Sequence, residues 1–523
     1  MRTSWWRNAI FYQVYVRSFA DSNDDGVGDL PGVTSRLGYL QALGVDGVWL
    51  TPFYPSPQKD HGYDVADYYG VEPQYGTLSD FDELVAQAHR RGLKVLIDIV
   101  PNHTSDQHPW FKAALSSPDD SHRSLYYFAK AKDGGPPNNW LSAFGGPAWT
   151  QVDGTGDWYL HLFAAEQPDL NWRNPMVPAE FHRIVKYWLD RGADGFRIDV
   201  AVALFKRQDL ADRPLVPHRI SGEPVTAPGF DIIDQREVHS VYRDWRKLAG
   251  SYEPERVLVG EIFDPARQPR YIKPDELHMA FALIDRRWDA ALWKKAIDVF
   301  RHAVSRGTSL PSWTLSNHDV VRHVTRLGGD GAGRDRAKAA ALLLFGLPGQ
   351  CFIYQGDELG LEEAYVPPER REDPLFHRTN GANHGRDGCR VPMPWRQGEP
   401  NAGFSAAPPW LPMPAGWDRS AVDAQARSTT SMLSLYRRLI AVRRSLARRL
   451  PATMRWAQAP KDCLVYDRGA LTVVCNFSQR VLELERLGRL LLASSPVVTA
   501  HGETLRLPPN SAAWLEIRRS AGS

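Results

Sequence analysis

Gly192-Ala-Asp-Gly-Phe-Arg-Ile-Asp-Val200 is an apolar run that ends in charge. Phe196 and Ile198 alternate with Arg197 and Asp199, so the two charged residues share one face of a strand. Seven further runs are of similar kind: FYQVYVRSF from Phe11, VDGVWLTP from Val45, KVLIDIVP from Lys94, VLVGEIF from Val257, HMAFAL from His278, SWTLSNHD from Ser312 and QCFIYQGDE from Gln350. Near-continuous apolar strands are buried on both faces, as in a parallel sheet. Helical stretches lie between them, among them SDFDELVAQAHRRG from Ser79, with a Ser-x-x-Asp/Glu-like cap and a stop at Gly92, and PAEFHRIVKYWLDRG from Pro178. Eight strands alternating with helices predict an α/β fold, a (β/α)8 TIM barrel. The rival is a doubly wound open sheet, disfavoured by the strand count and by the lack of a Gly-x-Gly-x-x-Gly turn.

About 90 residues separate the third and fourth runs, too many for a plain loop. They predict a small domain inserted after strand 3. The division expected is a catalytic barrel in residues 1–102 and 175–449, an inserted domain in 103–174, and a C-terminal antiparallel β-sandwich domain in 450–523. The last rests on short alternating segments, CLVYDRG, LTVVCNF, RLLLASS and AAWLEI. The Pro- and Gly-rich stretch from Glu362 to Trp417 reads as irregular.

Sixty-three basic residues against 61 acidic ones leave a net charge of +2, which gives no global field for a nucleic acid. Four cysteines without a C-x-x-C pair make no disulfide framework. The absence of a long apolar run and of a leader-like start predicts a cytoplasmic protein with no membrane partner. Eighteen tryptophans and 19 tyrosines suit sugar faces, though large cores use them too. Oligomeric state leaves no mark in the sequence.

Several runs end in an acid beside another polar group: Asp98 with Asn102 and His103, Arg197 with Asp199, Glu261, and His318 with Asp319. In a barrel the strand C-termini converge on one face, so these distant residues would meet in one pocket. Single strand-end acids are often solvated or paired, but a run of them with Arg and His points to chemistry. Glycoside cleavage needs such carboxylates. One attacks or stabilises the anomeric carbon; the other protonates the departing oxygen and needs a raised pKa. Arg197 is placed to keep Asp199 ionised.

DIVPNH, GFRIDVA, GEIF and LSNHD, in this order and spacing, resemble the four signature regions of the α-amylase family, glycoside hydrolase family 13. QPDLN from Gln167 resembles a fifth marker of its α-glucosidase and oligo-1,6-glucosidase branch. The resemblance spans nearly the whole chain. It implies Asp199 as nucleophile of a covalent glucosyl intermediate, Glu261 as general acid and then base, and Asp319 as the residue gripping sugar hydroxyls and favouring the distorted ring. It implies that Arg197, His103 and His318 hydrogen-bond the first glucose, with Asp98 in support beneath them. Retention would need carboxyl groups only ~5–5.5 Å apart. It further implies that Asp60 pairs with Arg386 of GRDGCR to close the pocket around the terminal O4, that Tyr63 stacks on the sugar, and that Phe144 and Phe163 line the pocket near the scissile bond.

Asp21, Asn23, Asp25, Val27 and Asp29 stand at positions 1, 3, 5, 7 and 9 of a loop with Gly26 at position 6, like the first part of an EF-hand, though no Glu occupies position 12. The resemblance implies a matching loop, so structural calcium is expected, with magnesium as the alternative and no organic cofactor. No HExxH motif or thiolate cluster points to zinc. The sequence departs from many family members at Val202 and Ala203, apolar where a Lys-His or His often stands. Val200 occurs in both α-1,6- and some α-1,4-acting relatives, so linkage stays open. The loop from Pro214 to Gly229 is expected to shape the acceptor side.

The leading expectation is a retaining exo-acting α-glucosidase taking maltose and short malto-oligosaccharides. The alternative keeps the intermediate but changes acceptor or substrate: a glucosyl transferase or isomerase, or a sucrose-, isomaltose- or trehalose-acting relative. A third reading, a non-catalytic transporter accessory subunit, predicts a membrane anchor and a broken carboxylate set.

Overall fold

The computed structural model describes residues 4–220, 223–228, 232–304, 309–485 and 488–517, with backbone alone over 215–228. Eight parallel strands close into a barrel: β1 Ile10–Val14, β2 Gly47–Leu50, β3 Lys94–Ile99, β4 Gly195–Ile198, β5 Val257–Gly260, β6 Met279–Leu283, β7 Ser312–Thr314 and β8 Gln350–Tyr354. They are paired in sequence order around the ring, β8 returning to β1 through Phe11↔Phe352. Seven of them fall within the apolar runs read from the sequence, and β1 begins one residue before its run, at Ile10.

Their two-faced burial has a simple layout. Phe11, Trp49, Leu96, Val257, Val259, Met279, Phe281 and Phe352 form one cluster drawn from six strands. The alternate residues, among them Tyr12, Val48, Ile97, Phe196, Ile198, Leu258 and Ile353, belong to the larger core shared with the helices. With a side-chain period of two, the face holding Leu96 next presents Asp98, that of Phe11 presents Gln13, and that of Val259 presents Glu261. The inner face therefore changes from oily to charged towards the strand C-termini.

The helix after β2 spans Leu78–Arg90. It starts two residues earlier than a Ser79 cap would give. Thr77 forms the capping box: its hydroxyl accepts the Asp80 N–H at 3.3 Å and its own N–H donates to Asp80 Oδ2 at 2.8 Å. Phe81, Leu84, Val85 and Ala88 form its buried stripe. The helix before β4, Met176–Asp190, buries Phe181, Ile184, Val185, Trp188 and Leu189. Trp188 meets Phe53 and Phe81 edge-on, at 5.4 and 4.9 Å between centroids.

Between β3 and that helix, Phe128–Lys130, Trp149–Gln151 and Asp157–Leu160 form a small antiparallel sheet. Trp172 ties its return to the barrel, its indole N–H donating to Pro101 O at 2.7 Å. At the C-terminal end, Cys463–Arg468, Leu471–Asn476, Arg489–Ala493 and Ser511–Glu516 join Arg455–Trp456 in a five-stranded antiparallel sheet, beside a three-stranded one. The five-stranded sheet docks on the helix Asp330–Gly346: Trp514 donates to Leu342 O and Tyr466 to Leu343 O. Gly346 allows that approach, since a Cβ there would lie 2.2 Å from the Tyr466 hydroxyl. From Glu362 to Trp417 no helix among the described residues is longer than Pro374–Arg378. The expected acceptor-side loop pairs Leu215–Ile220 with Glu223–Pro228 as a hairpin; its side chains and its end at Gly229 lie outside the described residues.

Candidate active site

Arg197, on β4, is the hub. Its Nη1 donates to Asp98 Oδ1 at 2.8 Å and to Asp199 Oδ1 at 2.6 Å, while Nη2 reaches Glu261 Oε1 at 2.8 Å. Three acids from three neighbouring strand ends thus meet one guanidinium, as registers Asp98↔Arg197 and Val259↔Arg197 allow. The Val200 N–H donates to Glu261 Oε2 at 2.8 Å. Val200 does this from φ +41°, a left-handed conformation that a β-branched residue rarely adopts and that costs about 1–3 kcal/mol.

One positive charge faces three carboxyl groups in a largely buried site. Burial raises Asp199, with Glu261 and Asp98 adding to the rise and Arg197 opposing it. Burial likewise raises Glu261, against Arg197. Asp98 is pushed up to about 6 by the same desolvation. Arg197 alone thus does not keep Asp199 ionised, contrary to the expectation from the sequence, because desolvation and the neighbouring acids outweigh it; the Asp199–Glu261 pair keeps a proton at pH values where free carboxyls have lost theirs. Asp319 behaves oppositely. Burial would raise it, but His318, Arg386 and Arg390 outweigh that and hold it well below the usual range.

Tyr63 and His318 stack in parallel, with centroids 5.3 Å apart and a 7° interplanar angle. Tyr63 Oη lies 2.7 Å from His318 Nε2 and donates to Asp98 Oδ2 at 3.2 Å. His103 touches the Tyr63 carbonyl at 3.1 Å and faces the Phe163 ring at 5.3 Å. Burial lowers His103 to about 4 and His318 well below its usual value, so both imidazoles are neutral near pH 7.

Arg386 closes one end of the cluster. Its Nη2 donates to Asp60 Oδ1 at 2.7 Å and its Nη1 to Asp319 Oδ1 at 3.1 Å. The guanidinium lies over the Phe144 ring at 4.8 Å, and Phe144 packs edge-on against Phe163. The structure thus brings together Asp60, Tyr63, His103, Phe144, Phe163, Arg197, Asp199, Val200, Glu261, His318, Asp319 and Arg386 in one connected constellation.

Several residues of this constellation escaped the sequence reading. Trp49 donates to Asp98 Oδ2 at 2.8 Å, Gln13 contacts His318 Nδ1 at 2.7 Å, and Gln167 bridges Asp60 and His103 at 3.1 Å each. Arg390 donates to Asp319 Oδ1 at 3.1 Å. Lys206, fully buried, joins the inserted segment to the barrel: its ammonium meets Asp169 Oδ2 and Asn102 Oδ1, both at 2.7 Å. Asn102 in turn contacts His103 Nδ1 at 3.0 Å. Lys206→Ala leaves the Asp169 carboxylate buried without its cation, and is expected to cost about 3–5 kcal/mol. A lowered urea midpoint at unchanged slope checks this; an unchanged midpoint would show the pair to be dispensable.

The loop Asp21–Asp29 is held by hydrogen bonds from its own backbone to its own side chains. Asp21 Oδ2 accepts the Gly26 N–H, Asn23 Oδ1 the Asp25 N–H, and Asp25 Oδ1 the Val27 N–H, at 2.8, 3.1 and 2.8 Å. Gly26 has φ +89°. Asp29 is buried and caps the helix Leu30–Ser35 through Gly32 N–H, its other oxygen accepting from Ser22. Among the described residues no three His, Cys, Asp or Glu side chains gather as a ligand group, so a cation here must also draw on the Asn23 amide and the Val27 carbonyl. The Asn23 amide donates through its nitrogen to Asp25 Oδ2 at 3.3 Å while its oxygen holds the Asp25 N–H.

A (β/α)8 barrel with paired carboxyls at its strand ends, one guanidinium holding them and a second bridging Asp60 and Asp319, defines a glycoside-cleaving barrel enzyme. Comparison with known proteins agrees. The α-amylase catalytic domain family matches residues 13–449, and a domain of unknown function matches 441–514. A probable α-glucosidase of Rhizobium meliloti (strain 1021) is 41% identical over 461 residues, covering 84% of this chain and 83% of that protein. An oligo-1,6-glucosidase of Parageobacillus thermoglucosidasius is 37% identical over 483 residues, covering 85% and 84%. The crystal structure of an α-glucosyl transfer enzyme superposes with a TM-score of 0.90 at 36% identity, covering 98% of this chain and all of that one. The chain belongs to the α-amylase family of glycoside hydrolases.

Proposed function

We propose that this glycoside hydrolase is a retaining exo-acting α-glucosidase that releases glucose from the non-reducing end of maltose and short malto-oligosaccharides. The observation that carries the exo reading is Arg386 bonded at once to Asp60 and Asp319, which we read as a wall beyond Asp199 and Glu261. A chain running through the site would need that wall open.

In this reading the glucosyl ring sits between Tyr63 and the acids, with Asp319 and His318 on its hydroxyls. Asp199 attacks the anomeric carbon while Glu261 gives its proton to the departing oxygen. Glu261, now a carboxylate, takes a proton from the incoming water or alcohol, which displaces Asp199. Two inversions return the α configuration. Arg197 holds both carboxyls through each step, and the Val200 N–H steadies Glu261 when it is charged.

A second reading is supported by the acceptor side. Val200, partly exposed beside Glu261, offers no hydrogen-bonding side chain there, Val202 and Ala203 being buried in the core, and a structural relative is an α-glucosyl transfer enzyme. Transfer of glucose to alcohols would use the same intermediate. Product analysis on maltose, isomaltose, sucrose and trehalose, with and without an added alcohol, tests both readings. Free α-glucose from maltose supports the first, alkyl α-glucoside adds the second, and no turnover of any α-glucoside rejects both.

We also propose calcium, with magnesium as the alternative, held by Asp21, Asn23, Asp25, the Val27 carbonyl and Asp29. It would staple the loop where Trp410 N–H meets Gly26 O at 3.0 Å. A ligand that binds only the folded state raises its melting temperature. Calcium added after chelation is expected to raise Tm in the wild type and not in Asp21→Ala. Equal behaviour of the two rejects this site. No described helix is long and apolar enough to cross a membrane, and a cytoplasmic location is the remaining part of the proposal.

A further inference from the structure

Arg386 does more than touch the pocket, and something must hold it there. A guanidinium is a planar fork with five N–H groups, and a carboxylate bonded along one edge fixes its plane. In front, Nη2 and Nη1 reach Asp60 and Asp319. Behind, Nε donates to Asp373 Oδ2 at 2.8 Å and Nη2 to Asp373 Oδ1 at 3.1 Å. The Arg386 backbone N–H donates to the same Oδ2. Asp373 thus grips both the side chain and the backbone of one residue.

Asp373 is itself fixed. It is fully buried, and its Oδ1 accepts the Leu375 N–H at 2.9 Å. Its own N–H, and that of Glu372, donate to Asp387 Oδ2 at 3.2 and 2.9 Å. Gly385 packs against it so closely that a Cβ would lie 2.8 Å from the Asp373 Cβ, and Gly385 has φ +71°. The segment is also tied to the inserted region. Leu375 clusters with Phe144, and the Arg378 side chain donates to Gly145 O at 2.9 Å.

We infer that Asp373 is a positioning residue: its carboxylate sets the plane of Arg386 so that the two outer nitrogens span Asp60 and Asp319 and wall off the end of the cavity. This rests on the proposed reading that the cavity takes a terminal glucosyl unit. Asp373 lies behind Arg386 and acts through it, not on the sugar.

The test compares Asp373→Asn, Arg386→Ala and the double variant in steady-state kinetics on maltose and on an aryl α-glucoside. Asp373→Asn keeps the side-chain size but turns one acceptor into a donor facing the guanidinium. It is expected to lower kcat/KM on maltose by about a hundredfold, with KM rising more than kcat falls. The mark of action through Arg386 is non-additivity: in the Arg386→Ala background the same change should cost less than about threefold. Wild-type kinetics in Asp373→Asn, or an equal loss in both backgrounds, overturns the inference. Should Asp373→Asn fail to fold, Asp373→Glu, which retains the charge, carries the same comparison. A wild-type enzyme that turns over neither substrate would instead reject the proposed function.

Discussion

Asp199→Ala is expected to lower kcat on maltose and on aryl α-glucosides alike by at least about 10⁴-fold, because both half-reactions pass through its carboxylate. The protein should stay folded. Asp199 is a carboxyl that burial raises, so its removal takes away a charge the interior disfavours and leaves Arg197 bonded to Asp98 and Glu261. An unchanged or higher Tm is expected beside the lost activity. Retained activity in purified Asp199→Ala would remove the nucleophile from the account; loss of both fold and activity would leave the structural role dominant.

Glu261→Gln should divide substrates by leaving group. Maltose departs as a poorly acidic sugar hydroxyl and needs a proton, so its turnover should fall by about 10²–10⁴-fold. An aryl glucoside with an activated phenolate needs little help in the first step, and its glucosyl-enzyme should accumulate because deglycosylation then lacks its base. Pre-steady-state release of the phenol measures this directly. Equal slowing of both substrates in the first half-reaction would take the acid role from Glu261. The pH profile follows with a definite sign. Burial raises Glu261, so its proton, and with it activity on maltose, persists above the ordinary carboxyl range and is lost only as pH rises further. Burial raises Asp199 too, so the two limbs belong to the Asp199–Glu261 pair, which works while it shares one proton and loses activity on the acid side when it takes up a second. The alkaline limb should flatten for activated aryl glucosides.

The barrel was legible because burial on two faces leaves strands with almost no polar interruption. The acids were legible for the complementary reason: Asp98, Arg197, Asp199 and Glu261 are charges at the ends of such runs. What the sequence hid is what looks ordinary in isolation. Trp49 and Gln13 read as core residues on barrel strands, yet one holds Asp98 and the other His318. Lys206 reads as a surface lysine, and only the fold brings Asp169 and Asn102 to it. Asp373 sits in a Pro- and Gly-rich stretch without periodicity, where no pattern distinguishes a buried carboxylate from a solvated one. Phe144 and Phe163 were marked by family resemblance alone, since phenylalanine carries no polar signature. The left-handed backbone of Val200 could not be foreseen, because nothing local favours it; the Glu261 carboxylate that its N–H meets comes from another strand.

In the proposed mechanism Asp199, Glu261 and Asp319 act together on one glucosyl ring, with Asp199 forming the covalent bond. A slow-turnover fluorinated glucosyl donor, followed by proteolysis and mass spectrometry of the trapped enzyme, tests this most directly. A single labelled peptide, the one carrying Asp199, is expected. A label on a different carboxylate would contradict it.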